Sequence, residues 1–61
     1  MTIQEAYNVV FDKNGNVKAC GREACKRLID LCKKQWKGVD FGNSETGYMN
    51  IENIKAYVED R

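Results

Sequence analysis

The chain has 61 residues, of which 43% are hydrophobic and 31% charged, and its formal net charge is +1. A chain of this length forms one small domain of marginal stability, and its many charges with no long apolar run exclude a membrane-spanning segment. No signal-peptide pattern opens the sequence, so we expect a single cytoplasmic domain over residues 1–61 with no membrane contact.

The charge is distributed unevenly along the chain. Residues 13–37 hold eight basic residues against Glu23 and Asp30, whereas residues 1–12 and 38–61 are both acidic. A basic centre between acidic flanks either helps the flanks fold onto the centre or presents a basic surface to a partner.

Residues 2–11 predict a first helix. Thr2 and Glu5 have the spacing of a capping box, in which each side chain accepts from the other residue's backbone N–H. From Ile3 onward, apolar residues recur at the i, i+3, i+4, i+7 and i+8 positions of one helical face. The cap and the period agree, which favours a helix here.

A β-hairpin is the alternative for this region. Asn14-Gly15 is a strong turn signal, and it would pair Val9–Asp12 with Val17–Cys20. The sequence leaves open whether residues 9–20 form a helix end or a hairpin.

The longest amphipathic stretch, residues 21–37, predicts the central helix against which the rest of the chain packs. Its start lies between Lys18 and Arg22, because Gly21 is a weak N-cap, and Gly38 follows its end. The apolar face consists of Ala24, Cys25, Leu28, Ile29, Leu31, Cys32 and Trp36.

Residues 38–49 form a connection that is long for a helix–helix loop and needs anchors of its own. A short strand at Val39–Phe41 is one option within this connection. Its expected anchors are Val39, Phe41, Tyr48 and Met49.

Residues 50–61 predict the third helix, with Asn50 as its N-cap. Met49 before the cap and Ile54 inside it have the spacing of a hydrophobic staple. The expected inward face consists of Ile51, Ile54, Tyr57 and Val58.

These elements predict an all-α fold, a compact three-helix domain with a long central helix, with a short β-hairpin or strand in the connections left open. The predicted core consists of Ile3, Tyr7, Val10, Ala24, Leu28, Leu31, Trp36, Phe41, Ile54 and Val58.

The three cysteines are expected to be reduced. Cys25 and Cys32 lie two helical turns apart, roughly 10 Å, which is beyond the reach of a disulfide. Cys20 would reach Cys25 only if the helix started after Cys20. Zinc is not expected, because the chain has no histidine and no C-x-x-C pair.

The segment DKNGNVKACGRE has part of the pattern of an EF-hand calcium loop. Asp12, Asn14, Asn16 and Glu23 occupy positions 1, 3, 5 and 12 of such a loop. Position 6 requires a glycine with positive φ, and this sequence has Val17 there, so we expect no bound metal.

Catalysis finds little support in the sequence. The usual general base is missing because there is no histidine, and Ser44 is the only serine. Cys20, near Lys18 and Arg22, has the setting of an activated thiol, but a half-buried structural thiol is the favoured interpretation. We therefore expect neither an enzyme nor a cofactor.

The candidate binding residues lie on the central helix and in the long connection. Arg22, Lys26, Lys33 and Lys37, which we call the basic stripe, would follow one helix face for about 23 Å. Phe41 and Tyr48 would either form a small apolar groove for a peptide beside Trp36 or close the core with it. We predict a non-enzymatic protein-interaction module, monomeric or weakly dimeric, with a DNA-associated accessory factor that uses the basic stripe as the alternative.

The segments CGREACKRLIDLC and VDFGNSETGYMNIENIKAY cover about half of the chain. They resemble small uncharacterised proteins encoded on conjugative transposons and related mobile elements of Gram-positive bacteria. The resemblance implies a cytoplasmic accessory role, and it carries over no activity and no site residue.

Overall fold

A computed structural model of the chain describes residues 2–18 and 21–59. The elements follow the order α1 (Ile3–Val10), α2 (Arg22–Gln35), β1 (Gly42–Asn43), β2 (Tyr48–Met49) and α3 (Ile51–Glu59). The three predicted helices are thus present, joined by a small antiparallel hairpin. Among the described residues, no helix combines the length and apolar character needed to cross a membrane.

The first helix begins where the capping box predicts. The Thr2 hydroxyl accepts from the Glu5 backbone N–H at 3.1 Å, and the Thr2 N–H donates to the Glu5 carboxylate at 2.8 Å. The bond from the Thr2 N–H favours the ionised carboxylate, so it lowers the pKa of Glu5. The cap fixes the phase of α1, which buries Ala6, Tyr7 and Val10.

The end of α1 contains both structures that the sequence left open, a helix end and an antiparallel pairing. The helix stops at Val10, one residue earlier than predicted, because Phe11 is extended (φ −114°, ψ 142°) and forms an antiparallel bridge with Val17. The Lys18 N–H donates to the Val10 carbonyl at 2.7 Å beside this bridge. Helix and turn therefore follow one another, and Ala19 and Cys20 of the predicted hairpin lie outside the described residues.

The central helix is shorter than the sequence predicts. It begins after Gly21 and ends at Gln35, since Trp36 is extended (φ −126°, ψ 97°) while its N–H still donates to the Cys32 carbonyl at 2.8 Å. Gly38 then reverses the chain with φ 83°, as predicted for a glycine after a helix. Lys37 consequently lies beyond the helix, and its placement on the helical stripe is wrong.

The long connection forms its strands later than predicted. The expected strand at Val39–Phe41 is wrong: β1 starts at Gly42, where the Asp40 carboxylate accepts from the Gly42 N–H at 3.1 Å and turns the chain. Asn43 pairs with Tyr48 in the ladder. Since neighbouring residues of a strand point to opposite faces, Met49 packs on the core and Tyr48 points outward, 80% exposed. Tyr48 is therefore not an anchor of the loop.

The third helix is tied to the connection at its start. Asn50 is the cap, as predicted, and its side-chain oxygen accepts from the Asn53 N–H at 3.3 Å. The Asn50 N–H donates to the Phe41 carbonyl at 2.9 Å, and the Asn53 amide donates to the Asp40 carbonyl at 2.8 Å. The predicted last residues of this helix, Asp60 and Arg61, lie outside the described residues.

One apolar core joins all three helices and the connection. Of the residues that the structure describes, ten apolar side chains are buried in it, and six of these belong to the predicted core: Tyr7, Val10, Leu28, Phe41, Ile54 and Val58. The remaining predicted members are only partly buried against it: Ile3, Ala24, Leu31 and Trp36. The buried members that the predicted core omitted are Ala6, Phe11, Ile29 and Cys32.

The first and last helices are also joined by a polar contact. The Tyr7 hydroxyl donates a hydrogen bond to the Glu59 carboxylate, across 52 positions of sequence. Burial of the Tyr7 ring and the neighbouring Glu59 charge both raise the pKa of Tyr7 above its ordinary value. The contact therefore holds Tyr7 in its neutral, hydrogen-bonding form.

The buried Cys32 thiol predicts a loss of stability in alkali. Burial raises the pKa of Cys32 to about 11, whereas a thiol in an unfolded chain ionises near about 8.5. The contribution of the protonated Cys32 thiol to the free energy of unfolding is fully present below the pKa of the unfolded chain. It is lost as the pH rises through the pKa of the folded state. We expect the free energy of unfolding, measured by urea denaturation in reductant, to fall between about pH 9 and pH 11. Cys32→Ala should flatten this fall.

Ionisation of Tyr7 on unfolding also lowers the free energy of unfolding, from about pH 10 upward. The variant Tyr7→Phe therefore separates the contribution of Tyr7 from that of Cys32. If wild type and Cys32→Ala lost stability with the same slope from about pH 9 to pH 10, Cys32 would not be ionising on unfolding.

Candidate functional site

The six predicted binding residues do not form one surface. Arg22 and Tyr48 are brought together, because both line a shallow cleft between α2 and the hairpin. Phe41 is wholly buried and cannot offer its ring to a partner in this conformation. Lys37 follows the end of α2 and is exposed there.

The remaining part of the basic stripe is shorter than predicted and bordered by the hairpin. Arg22, Lys26 and Lys33 keep one face of α2 over about 16 Å. Lys26 is half-buried and lines a cleft that Ser44 of the hairpin turn also lines. Glu23 and Asp30 line the same cleft, so this part of α2 is electrostatically mixed.

The hairpin patch is the surface around the cleft between α2 and β2. It combines an exposed aromatic ring, Tyr48, with two cationic side chains, Lys18 and Arg22, in a cleft of about 330 Å³. Lys18 was not among the predicted binding residues, because nothing in the sequence connects it with a tyrosine thirty positions away. The patch is lined by Lys18, Gly21, Arg22, Cys25, Thr46, Gly47 and Tyr48.

The turn beside Tyr48 is held by its own hydrogen bonds. The Asn43 side chain accepts from the Glu45 N–H at 2.8 Å, and the Asn43 carbonyl accepts from the Gly47 N–H at 2.8 Å. The Tyr48 N–H donates to the Thr46 hydroxyl at 3.3 Å. These bonds fix the direction in which the backbone presents Tyr48.

The turn is also packed closely on α2. A Cβ at Gly47 would lie 2.6 Å from the Arg22 Cγ, which leaves no room for a larger residue. Gly47 has φ 85°, so glycine is suited to the position on conformational grounds as well. The contact aligns Arg22 with the hairpin.

The Trp36 groove is a second, larger concavity, of about 490 Å³, at the opposite end of α2. Its apolar walls come from all three helical segments: Ile3 of α1, Leu31 and Trp36 at the end of α2, and Val58 of α3. The predicted walls of a groove beside Trp36, Phe41 and Tyr48, are wrong, because Phe41 lies in the core and Tyr48 lines the hairpin patch. The polar lining consists of Thr2, Gln4, Lys34 and Gln35.

Aromatic contacts hold Trp36 in place. Its ring centroid lies 6.0 Å from that of Phe41 and 5.4 Å from that of Tyr57, and the Phe41 and Tyr57 rings meet edge to face at 5.4 Å. Tilted and edge-to-face pairs at these separations are favourable. The indole is therefore a pre-positioned wall of the groove.

The first part of the segment with partial EF-hand character, residues 12–16, forms an ordinary turn. The Asp12 carboxylate accepts from the Asn14 and Asn16 N–H groups, both at 2.9 Å. Val17 bridges Phe11 and lacks the positive φ that a calcium loop requires at that position. Within residues 2–18 and 21–59, no three His, Cys, Asp or Glu side chains cluster as a metal site would need.

Among the concave surfaces of the described residues, the hairpin patch combines an exposed ring with cations, and the Trp36 groove has apolar walls from three helical segments. Comparison with models of known protein families, with curated proteins and with solved structures finds no match to this chain. The function must therefore be inferred from these two surfaces.

Proposed function

We propose that this chain is a non-enzymatic protein-interaction module that binds a short segment of a partner protein in the Trp36 groove. The observation that supports this proposal is an open groove of about 490 Å³ with apolar walls from three helical segments. Concave, mostly apolar sites with a few polar groups at their edge are typical of ligand sites. A cytoplasmic accessory role, which the resemblance of the sequence implies, is part of the proposal.

The lining defines the chemistry of the segment. Ile3, Leu31 and Val58 offer apolar contact, which suits a bulky apolar side chain of the partner. Lys34 is the charged residue among the groove's lining, so an acidic residue beside that side chain would complement it. Gln4 and Gln35 supply amide donors and acceptors for the partner's backbone. The proposed occupant is therefore a peptide with an apolar anchor next to an acidic residue.

We expect Trp36 to contribute a large share of the binding energy in the groove. Tryptophan is enriched among the residues that dominate binding energy, and such residues lie in well-packed pockets. Its contacts with Phe41 and Tyr57 fix the ring before binding, so little conformational entropy is lost there.

Selection from a random peptide library on the intact protein tests the proposal. We expect enriched peptides to carry a bulky apolar residue adjacent to Asp or Glu. Their binding should change the fluorescence of Trp36, the only tryptophan of the chain. Leu31→Ala should weaken binding by about tenfold, because it removes one wall. Ile51→Ala is the matched control, since Ile51 is an exposed apolar residue outside the groove.

The contribution of the Lys34 charge to binding is tested separately, and Lys34 is exposed at the surface. Lys34→Glu should weaken binding by about three- to tenfold, whereas Lys33→Glu, one residue away and outside the groove's lining, should have a smaller effect. Selected peptides that bind Leu31→Ala and Lys34→Glu as tightly as wild type, or the failure of any peptide to be enriched, would refute the proposal.

Duplex DNA binding by the basic stripe is the second candidate. Arg22, Lys26 and Lys33 share one face of α2, which could follow a phosphate backbone. We place it second because Lys26 is half-buried beside the hairpin and Lys37 lies beyond the helix.

A further inference from the structure

The exposure of Tyr48 is not explained by the packing of the fold. The ring is 80% exposed, whereas the other exposed large hydrophobic side chains, among them Val17 and Ile51, are no more than 45% exposed. Met49 beside it supplies the contact with the core, so the hairpin does not need Tyr48 for stability. An exposed aromatic ring offers a face on which a planar ligand can stack.

The charge around the ring indicates an anionic ligand. Lys18 and Arg22 line the patch together with Tyr48, and none of the acidic residues that the structure describes lines it. Glu23 faces the neighbouring cleft on α2, and Glu45 lies in the hairpin turn outside the lining. The ligand that fits is therefore negatively charged and carries a planar group for the tyrosine.

From these observations we infer that the hairpin patch binds single-stranded nucleic acid. One base stacks on Tyr48, and the adjoining phosphates are held by Lys18 and Arg22. Base–aromatic stacking beside a positively charged groove is the usual arrangement in proteins that bind single strands. This site is distinct from the Trp36 groove and does not depend on the function proposed for it.

The geometry favours a single strand over a duplex. A base must be unstacked to lie on a protein side chain, and in a duplex both faces of each base are already covered. The cleft of about 330 Å³ is small and sits beside one aromatic ring, so it suits one or two nucleotides. A polyglutamate peptide would satisfy Lys18 and Arg22 but supplies no aromatic face for Tyr48.

The scaffold supports this use of the ring. The hydrogen bonds that the Thr46 and Asn43 side chains accept hold the turn, and Gly47 packs against the Arg22 side chain. The backbone that carries Tyr48 and the stem of the Arg22 side chain are therefore positioned relative to each other before binding. Pre-positioned groups lose less entropy when the ligand arrives.

Fluorescence anisotropy with a labelled oligothymidylate of roughly ten nucleotides, titrated at several salt concentrations, tests the inference. Tyr48→Ala should weaken binding by about 5- to 150-fold, the range that corresponds to losing one stacked base. Tyr48→Phe keeps the ring and should bind nearly as wild type. Lys18→Gln and Arg22→Gln should each reduce the slope of log K against log salt by about 0.7.

Two features of these variants separate the loss of a charge in the patch from a change in structure or in overall charge. Glutamine at position 22 keeps the Cγ that packs beside Gly47, so the hairpin should stay in place. Lys34→Gln removes the same charge at the Trp36 groove, outside the patch, and should leave the affinity for the oligonucleotide nearly unchanged.

Three outcomes would overturn the inference. The first is equal binding by wild type and Tyr48→Ala, or no binding by either. The second is a preference for duplex that disappears when Arg22, Lys26, Lys33 and Lys37 are all replaced by glutamine, which would favour the basic stripe. The third is binding of a polyglutamate peptide, but not of the oligonucleotide, in a manner that depends on Lys18 and Arg22.

Discussion

Leu28→Ala is expected to lower the free energy of unfolding by about 2–5 kcal/mol. Leu28 is wholly buried in the core, so its truncation leaves a cavity as well as losing apolar burial. A domain of this size has a total stability of about 3–9 kcal/mol. The variant should therefore be close to unfolding at room temperature, as urea denaturation followed by circular dichroism will show.

Leu31→Ala is the matched comparison for this prediction. Leu31 shares the apolar face of α2 but is only partly buried and lines the Trp36 groove, so its truncation should cost clearly less. A loss below about 0.5 kcal/mol for Leu28→Ala, or an equal loss for both variants, would mean that the rotation of α2 about its axis is wrong.

Gly42→Ala is expected to disrupt the hairpin, at a cost of more than about 3 kcal/mol. Gly42 has φ 116°, where residues with a Cβ are strained. The added Cβ would overlap the Tyr48 carbonyl oxygen and lie 2.9 Å from the Asn50 backbone nitrogen. Since both contacts are with backbone, β1 and β2 must separate to relieve them.

Gly38→Ala isolates the conformational part of that cost. Gly38 has φ 83°, but a Cβ there would meet nothing within 4 Å. It should cost only about 1–2 kcal/mol, the price of a left-handed backbone for an alanine. Equal losses of stability in the two variants would show that the close approach of β2 to Gly42 does not exist in solution.

The ends of the elements were predictable where a local signal sets them. The Thr2–Glu5 capping box fixed the start of α1, and Asn50 the start of α3, because caps act over three or four residues. The end of α1 was misplaced by one residue. Phe11 continues the helical period, and only its pairing with Val17, six positions later, makes it extended.

The side chains of the hairpin could not be assigned from the sequence. Tyr48 and Met49 are both apolar neighbours, and which of them points inward depends on the register of a two-residue strand. That register follows from the close approach at Gly42 and from the Asp40 turn, neither of which has a periodic signal. Tyr48 thus changed from an expected anchor to the most exposed ring of the chain.

The candidate sites were predictable only as residue types. Trp36 was expected to line a groove, but Ile3 and Val58, which complete it, come from opposite ends of the chain. Arg22 and Tyr48 were expected on a binding surface, whereas only the fold brings Lys18 to the same cleft as Tyr48. Contacts between distant segments carry no sequence periodicity, so three-dimensional packing was needed to define both surfaces.

Mapping of amide chemical shifts with two ligands tests the central claim, that the domain carries two separate binding surfaces. A library-selected peptide should shift the amides around Ile3, Leu31 and Val58, and the oligothymidylate should shift those around Arg22 and Tyr48. The two sets should not overlap, and both ligands should bind at once. Shifts in the same residues with both ligands, or in neither set with either ligand, would contradict the claim.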